Sequence, residues 1–435
     1  MATDLSAFVR TSAAPKDRVS PIAQKLVGSE ILKIAAEIRG LIAQGKPVCN
    51  LTVGDFDPKQ FPIPEVLRAN ITAAYAAHET NYPPSNGMPE LRSAVQRFYA
   101  RDLGLEVPIE SILIASGARP VIYGIYRAVV AEGDEVVYPV PSWNNNHYVT
   151  MLAAKGVTVK CGPETRFLPT RESLLATLPT ARLVCLNSPL NPSGTAMSRD
   201  MVRGISEAIV LENEKREKNG ARPVYLMYDH IYWMLTAKGT THVTPPELIP
   251  EMARYTIFVD GISKAFASTG VRVGWAVGPV DVIDRMSAIL GHVGAWAPRA
   301  EQIATAKLLD DPAAIATYLA HLRSELALRL EALHDGFQKL KAQGLPVDSL
   351  SPEGAIYLTV RVHPFGKKNA AGKTLETNED VRKHLLDAAG VGAVPFQAFG
   401  YPGDDGWFRL SVGAVSLRDI EDAMPRIAES LRSLG

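Results

Sequence analysis

An α/β fold is what this sequence predicts: a large domain on a mostly parallel seven-stranded sheet flanked by helices, with a smaller α+β domain beside it. Three observations predict it. The chain's 435 residues exceed what one hydrophobic core usually organises, so two domains are expected. Its middle alternates short β-branched runs with longer amphipathic ones, the pattern of strand–helix–strand units around a parallel sheet. Beyond residue 312 a long amphipathic stretch gives way to short strands and a last helix, the mark of a separate α+β unit.

Taken in order, the first 20 residues are polar and read as a loose arm. Ile31, Ile34, Ile38 and Ile42 then recur at helical spacing within residues 22–44, and Gly45 ends the pattern. Seven apolar runs read as strands: SILIAS at 111–116, EVVYPV at 135–140, VTVKCG at 157–162, RLVCLN at 182–187, PVYLMYD at 223–229, TIFVDG at 256–261 and VGWAVG at 273–278. Helical segments at 121–133 and 199–220 lie between some of them. After the long helix that starts near 312, AIYLTV at 355–360 and FRLSVG at 408–413 read as strands of the smaller domain. The expected division is an arm and helix over 1–50 packing with the small domain, a large domain over 51–320, and the small C-terminal domain over 321–435.

Composition excludes several functions. Lys plus Arg and Asp plus Glu both count 46, so no basic excess points to nucleic acid and no long-range field draws the chain to acidic membranes. No stretch approaches the roughly 18 apolar residues that span a bilayer, and the first residues lack a signal-peptide apolar core. Cys49, Cys161 and Cys185 are odd in number and lack a CxxC pair, so neither a disulfide framework nor a metal site is expected. These features together predict a cytoplasmic protein.

The chemistry is concentrated in GISKAFASTGVRVGW, residues 261–275. Lys264 directly follows an expected strand, at the edge of the sheet where α/β proteins bind ligands. Arg272, between Gly270 and Gly274, lies eight residues on. A lysine can condense with an aldehyde and an arginine can fork onto a phosphate, while glycines let the backbone approach both. Pyridoxal 5′-phosphate carries one aldehyde and one phosphate. Read by itself, the pair also suits a surface lysine beside a salt-bridged arginine. A ring cofactor of this kind needs an acid beside its pyridine nitrogen, and Asp229 closes an apolar strand where an unpaired buried carboxylate would be costly. In SGARPVIYGIYRAVV, a turn leads from a strand into a helix, so the N–H groups of Gly117, Ala118 and Arg119 are set to face an anion.

SK followed by GxRxG resembles the lysine signature of class I/II pyridoxal-phosphate-dependent aminotransferases, the aspartate aminotransferase-like branch of PLP fold type I. The resemblance implies that Lys264 carries the cofactor as a Schiff base and moves the substrate proton, and that Arg272 holds the phosphate. Gly261 departs from the family, which often has a phosphate-binding serine there. YDHIYW resembles the family's aspartate followed three residues later by a tyrosine, implying roles for Asp229 at the ring nitrogen and Tyr232 at the ring oxygen. LNSPLNPSGT at 186–195 resembles NPxNPTG, implying that Asn191 bonds the same oxygen, with Pro192 after a cis bond. By the same resemblance Gly117, Ala118 and Arg119 form a phosphate cup, Trp143 in YPVPSWNNN stacks on the ring, and Tyr82 in NYPPSNGMPELRSAV reaches a neighbouring subunit's phosphate in a homodimer. FRLSVG implies that Arg409 grips the substrate's α-carboxylate, and LTVGDFDP that the Gly54 N–H assists.

These matches span residues 50 to 415 in the family's order. They imply an aminotransferase moving an amino group between an L-amino acid and a 2-oxo acid. Another reaction on the same fold, a C–S β-lyase or a cyclopropane-forming synthase, is the alternative. The side chain it accepts stays open: Arg119 suits an acidic one, whereas the GHVGAWAPRAEQ segment, with His292, Trp296 and Arg299, suits an aromatic or apolar one.

Overall fold

The computed structural model describes residues 3, 5–9, 18–26, 28 and 30–435. Strand β1 (Cys49–Asn50) precedes the seven strands of the main sheet: β2 (Ile112–Ala115), β3 (Glu135–Val140), β4 (Lys155–Lys160), β5 (Ala181–Asn187), β6 (Tyr225–Asp229), β7 (Thr256–Gly261) and β8 (Gly274–Val277). The C-terminal part adds β9 (Val347–Ser349), β10 (Tyr357–Val362), β11 (Val391–Gly392), β12 (Val394–Pro395) and β13 (Trp407–Ser411). The main sheet runs β2-β8-β7-β6-β5-β3-β4, parallel from β7 to β4, with β8 antiparallel to both its neighbours. Residues on its central strands are buried on both faces, as a sheet between helical layers requires. One face packs Leu226, Tyr228 and Phe258, and the other packs Tyr225, Met227, Ile257 and Val259.

The order β12-β13-β10-β9 forms a second, antiparallel sheet. The helix Pro312–Ala342 runs unbroken through residue 320 into this part of the chain. Ile34 and Ile38, on the helix Glu30–Ala43, are buried against Leu386, Val394 and Phe396, and β1 pairs in parallel with β11. The N-terminal helix therefore packs against C-terminal elements. Ile42, the last residue of its apolar pattern, is exposed.

Several elements differ from the sequence reading, the strands expected at 355–360 and 408–413 lying at Tyr357–Val362 and Trp407–Ser411, and three of the differences have a clear physical reason. The strand expected at 157–162 is β4 at Lys155–Lys160; it is an edge strand whose register is fixed by pairing with β3, from Glu135↔Lys155 onward, and not by its weak apolar alternation. The strand expected from Pro223 begins at Tyr225, since a proline cannot donate to the ladder. The helix expected from 121 begins at Ala118, and Pro120 is accommodated because N–H groups in a first turn have no helical acceptor.

Candidate active site

The carboxyl ends of β5, β6 and β7 lie side by side, with Asn187 opposite Asp229 and Asp229 opposite Val259. The turn after β7 is a one-turn helix, Ile262–Ala265, that carries Lys264. Lys264 Nζ donates to Gly54 O at 2.7 Å and lies 5.8 Å from the centroid of the Tyr232 ring. Burial lowers its pKa to about 8; Asp55 opposes that shift, while Arg409, Arg119 and Arg272 add to it. An enclosed amine beside three guanidinium groups is thus easily neutral, the state in which an amine attacks a carbonyl.

Asp229 is largely enclosed, and its one hydrogen bond among the described residues comes from Ile231 N, 3.2 Å from Oδ1. Burial raises its pKa to about 7, against that bond and the pull of Lys264. The carbonyl of Asp229 is better served: it accepts from Asn187 Nδ2 at 2.8 Å and from Ser188 N at 3.1 Å. Asn187 Oδ1 in turn accepts from Asn191 N at 2.8 Å, which fixes the proline-rich loop. The Asn191–Pro192 peptide is cis, as are Val140–Pro141 and Ser188–Pro189.

Arg409, on β13, is only 1% exposed yet bonds no acid. It donates to Asn191 Oδ1 at 3.1 Å and to Thr52 O at 2.7 Å, while its Nε is buried with no partner. Its guanidinium lies between the rings of Tyr357, 4.6 Å away, and Phe399, 4.9 Å away. A Cβ on Gly54 would come within 3.0 Å of Tyr357 Oη and 3.5 Å of Arg409 Nη1, so the absence of a side chain there keeps the cation open. The Tyr232 and Tyr357 hydroxyls are hydrogen-bonded at 2.7 Å.

The strand–helix turn closes the other end. Gly117, at φ +97, precedes the helix that begins with Ala118 and Arg119, and a Cβ on it would come 2.8 Å from Arg272 Cζ. Arg272 is held by Ser116 O at 2.8 Å and Thr269 O at 2.7 Å. Gly274 pairs with both Gly261 and Ala115; a Cβ on Gly261 would come 2.8 Å from Gly274 Cα, and one on Gly274 would come 2.7 Å from Gly117 C. A side chain at Gly261 would therefore require the backbone at Gly274 to shift. Arg119 is exposed, makes no ion pair among the described residues, and stacks on Trp143 with Cζ 4.5 Å from the ring centroid. Trp143 and Asp229 line one cleft with Asn187 and Leu190.

Lys264, Asp229, Tyr232, Asn191, Arg409, Gly54, Arg272, Gly117, Ala118, Arg119 and Trp143 therefore converge on the edge of the main sheet. Tyr82 does not join them within one chain: it is 81% exposed, and its ring packs edge-on against Trp296 at 5.2 Å. Arg299 is engaged by Glu79. Sequence reasoning missed Tyr357, Asn187 and Asp55. Asn187, as the first asparagine of LNSPLNP, carried a signal. Tyr357 reaches the site only through the pairing of β10 with β13, which places it opposite Ser411.

The fit to pyridoxal 5′-phosphate can be tested on the residues themselves. Three enclosed groups lack partners of the right kind: a carboxyl with one bond, an arginine with no acid, and a lysine with a lowered pKa. A Cβ on Gly117 would strike Arg272, so the bare turn lets that guanidinium lie against the start of the helix. A protonated ring nitrogen, a carboxylate, an aldehyde and a phosphate would meet these needs in turn.

The model of the family described as "Aminotransferase class I and II" matches residues 46–427. An aspartate aminotransferase of Rhizobium meliloti is 32% identical over 417 residues, 95% of each chain. The crystal structure of the aspartate aminotransferase from Rhizobium meliloti superposes with a TM-score of 0.86 at 30% identity, covering 96% of this chain and all (100%) of that one. That of the Thermus thermophilus enzyme with maleate gives 0.84 at 27% identity, covering 95% and 99%.

Proposed function

Since this chain belongs to the aminotransferase class I and II family, we propose that it moves an amino group between an acidic L-amino acid and a 2-oxo acid, with pyridoxal 5′-phosphate held at Lys264. Asp229 would hold the ring nitrogen, Asn191 and Tyr232 the ring oxygen, and Trp143 the ring face. The amides of Gly117, Ala118 and Arg119, with Arg272, would hold the phosphate. When bound, the cofactor supplies an aldehyde that condenses with amines and a ring that takes up the electron pair left when the Cα–H bond breaks.

The chain's own residues do the rest. Arg409, buried and without an acid, takes the substrate's α-carboxylate in a fork, and Gly54 stands where a side chain would block it. Lys264, as a free amine, would be the base that removes the Cα proton and the acid that delivers it again beside the cofactor's ring. Its pKa near 8 suits that exchange, because acid and base forms are both accessible near neutral pH. Tyr82, almost fully exposed, would complete the phosphate site of a second copy in a homodimer. All three cysteines are buried and unpaired, in keeping with a reducing cytoplasm.

Arg119 supports an acidic donor, as a cation stacked on Trp143 of the cleft without an acidic partner among the described residues. The Rhizobium relative is named for aspartate, and the Thermus structure holds maleate, a dicarboxylate.

The observation that carries the reading is Lys264 Nζ, enclosed at the carboxyl end of β7 beside Arg409, Arg119 and Arg272. Purified protein mixed with single amino acids should lose the visible band of lysine-bound cofactor fastest with aspartate or glutamate, and should release the matching 2-oxo acid. Release of pyruvate and ammonia instead would favour a lyase. Lys264→Ala should show no such band and lose about 10³-fold or more in kcat.

A further inference from the structure

On the face of the main sheet opposite Asp229 lies a second acid, fully buried, that the proposed reaction does not use. Asp229 and Val259 face one side, so His230 and Asp260, each one residue on, face the other. Asp260 Oδ1 accepts from Gly261 N at 2.7 Å, three residues before Lys264. Its Oδ2 accepts from the Trp233 indole N–H at 3.1 Å, one residue after Tyr232, and from the Tyr99 hydroxyl at 3.1 Å. We propose that Asp260 is a positioning residue for the amino-transfer site: as an anion it ties the turn carrying Lys264 to the segment carrying Tyr232.

The directions of the donors around it converge on an anion. An indole N–H can only donate, so Trp275, 3.2 Å from Tyr99 Oη, makes that oxygen an acceptor. Tyr99 has one proton, and with Asp260 ionised it goes to Asp260. His230 Nε2, 3.0 Å from the same oxygen, is then the donor to it, and His230 Nδ1, 3.3 Å from His242 Nε2, the acceptor. Each donor in the chain points towards Asp260, and both imidazoles stay neutral. Their environment agrees: burial lowers His242 to about 4, and burial with the neighbouring His242 holds His230 well below its usual value. Asp260 itself is lifted to about 7 by burial, with Asp229 pushing the same way and its three hydrogen bonds opposing, so the anion that does the tying prevails above that pH. Tyr99, pushed up by burial and by Asp260, keeps its proton. If Asp260 were protonated it would become a donor, and the whole chain out to His242 would have to reverse.

This inference rests on Lys264 as the cofactor lysine. Asp260→Asn keeps the shape but offers an N–H₂ where donors already point, so it cannot accept all three bonds. We expect the cofactor-loaded variant to fold, to bind the amino donor with KM within about twofold of wild type, and to lose about tenfold or more in kcat. The pH midpoint of its lysine-bound visible band should move by about half a pH unit or more, because Lys264 is no longer held in register. Tyr99→Phe, which removes one donor and breaks the link to His230, should shift both readouts the same way by less. Circular dichroism checks the fold, and if Asp260→Asn does not accumulate as folded protein, Tyr99→Phe decides. Folded variants with wild-type kcat and midpoint overturn the proposal, as does a loss confined to KM. A wild-type protein that shows no visible band overturns the Lys264 reading itself, and this inference with it.

Discussion

On one face of β6 and β7, Asp229 receives a single hydrogen bond; one residue on and across the sheet, Asp260 receives three. Burial lifts both to about 7, so burial alone does not separate them. What separates them is how fully the chain itself satisfies each group. The back face closes its polar network with its own tyrosine, indoles and imidazoles. The front face leaves Asp229 short of donors, Arg409 Nε without an acceptor and Arg119 without an acid among the described residues. Buried polar groups are normally paired, so a cluster of underserved ones with complementary charges marks a surface shaped for a ligand.

That contrast can be broken from either side. The largest effect after loss of Lys264 is expected at Arg409. Arg409→Ala removes the buried guanidinium of the front face and should lower kcat/KM for every amino donor by about 10²- to 10³-fold, in steady-state kinetics. Asp229→Asn comes next, with kcat falling about 10²-fold once the ring nitrogen loses its anion. The same change should stabilise the protein free of cofactor. Asp229 has its folded pKa raised, so between the usual carboxylate range near 4 and about 7 the folded chain holds a proton the unfolded chain has released. Its contribution is favourable at low pH and is lost as pH rises through that window. Denaturant melts at pH 8 should therefore show Asp229→Asn gaining on the order of 2 kcal/mol: each pH unit separating the folded and unfolded pKa values costs about 1.4 kcal/mol, and the bond from Ile231 N, weaker to an amide oxygen than to a carboxylate, offsets part of the gain. Asp260→Asn at the same pH sheds the same cost of a buried charge but sets an N–H₂ against donors, so it should come out about 1–3 kcal/mol less stable than Asp229→Asn. A difference of that sign would sharpen the comparison; equal gains would erase it. The smallest effect is expected at Arg119, which is exposed: Arg119→Ala should raise KM for acidic donors about tenfold and leave apolar donors nearly unchanged.

The sequence was informative where chemistry and chain position coincide. Lys264, Asp229 and Asn191 each lie at or just after the carboxyl end of a strand, and their short motifs have few other uses. The glycines at 117, 261 and 274 were also visible, although only the structure shows what a side chain would meet: Arg272 at 117, the Gly274 backbone at 261 and the Gly117 backbone at 274. Tyr357 and Asp260 were not legible. Tyr357 meets Tyr232 across 125 residues of chain, and Tyr99 meets Asp260 across 161, so both contacts depend on strand register and helix packing that no local pattern encodes. Strand β4 was placed two residues late for a related reason: an edge strand takes its register from its neighbour.

The most direct measurement is chemical. Borohydride reduction of the protein carrying pyridoxal 5′-phosphate, followed by peptide mass mapping, should fix the pyridoxyl group on the peptide containing Lys264 and on no other lysine. A label on a different amine, or none after reduction, would contradict the assignment from which the roles of Asp229, Arg409 and Asp260 are drawn.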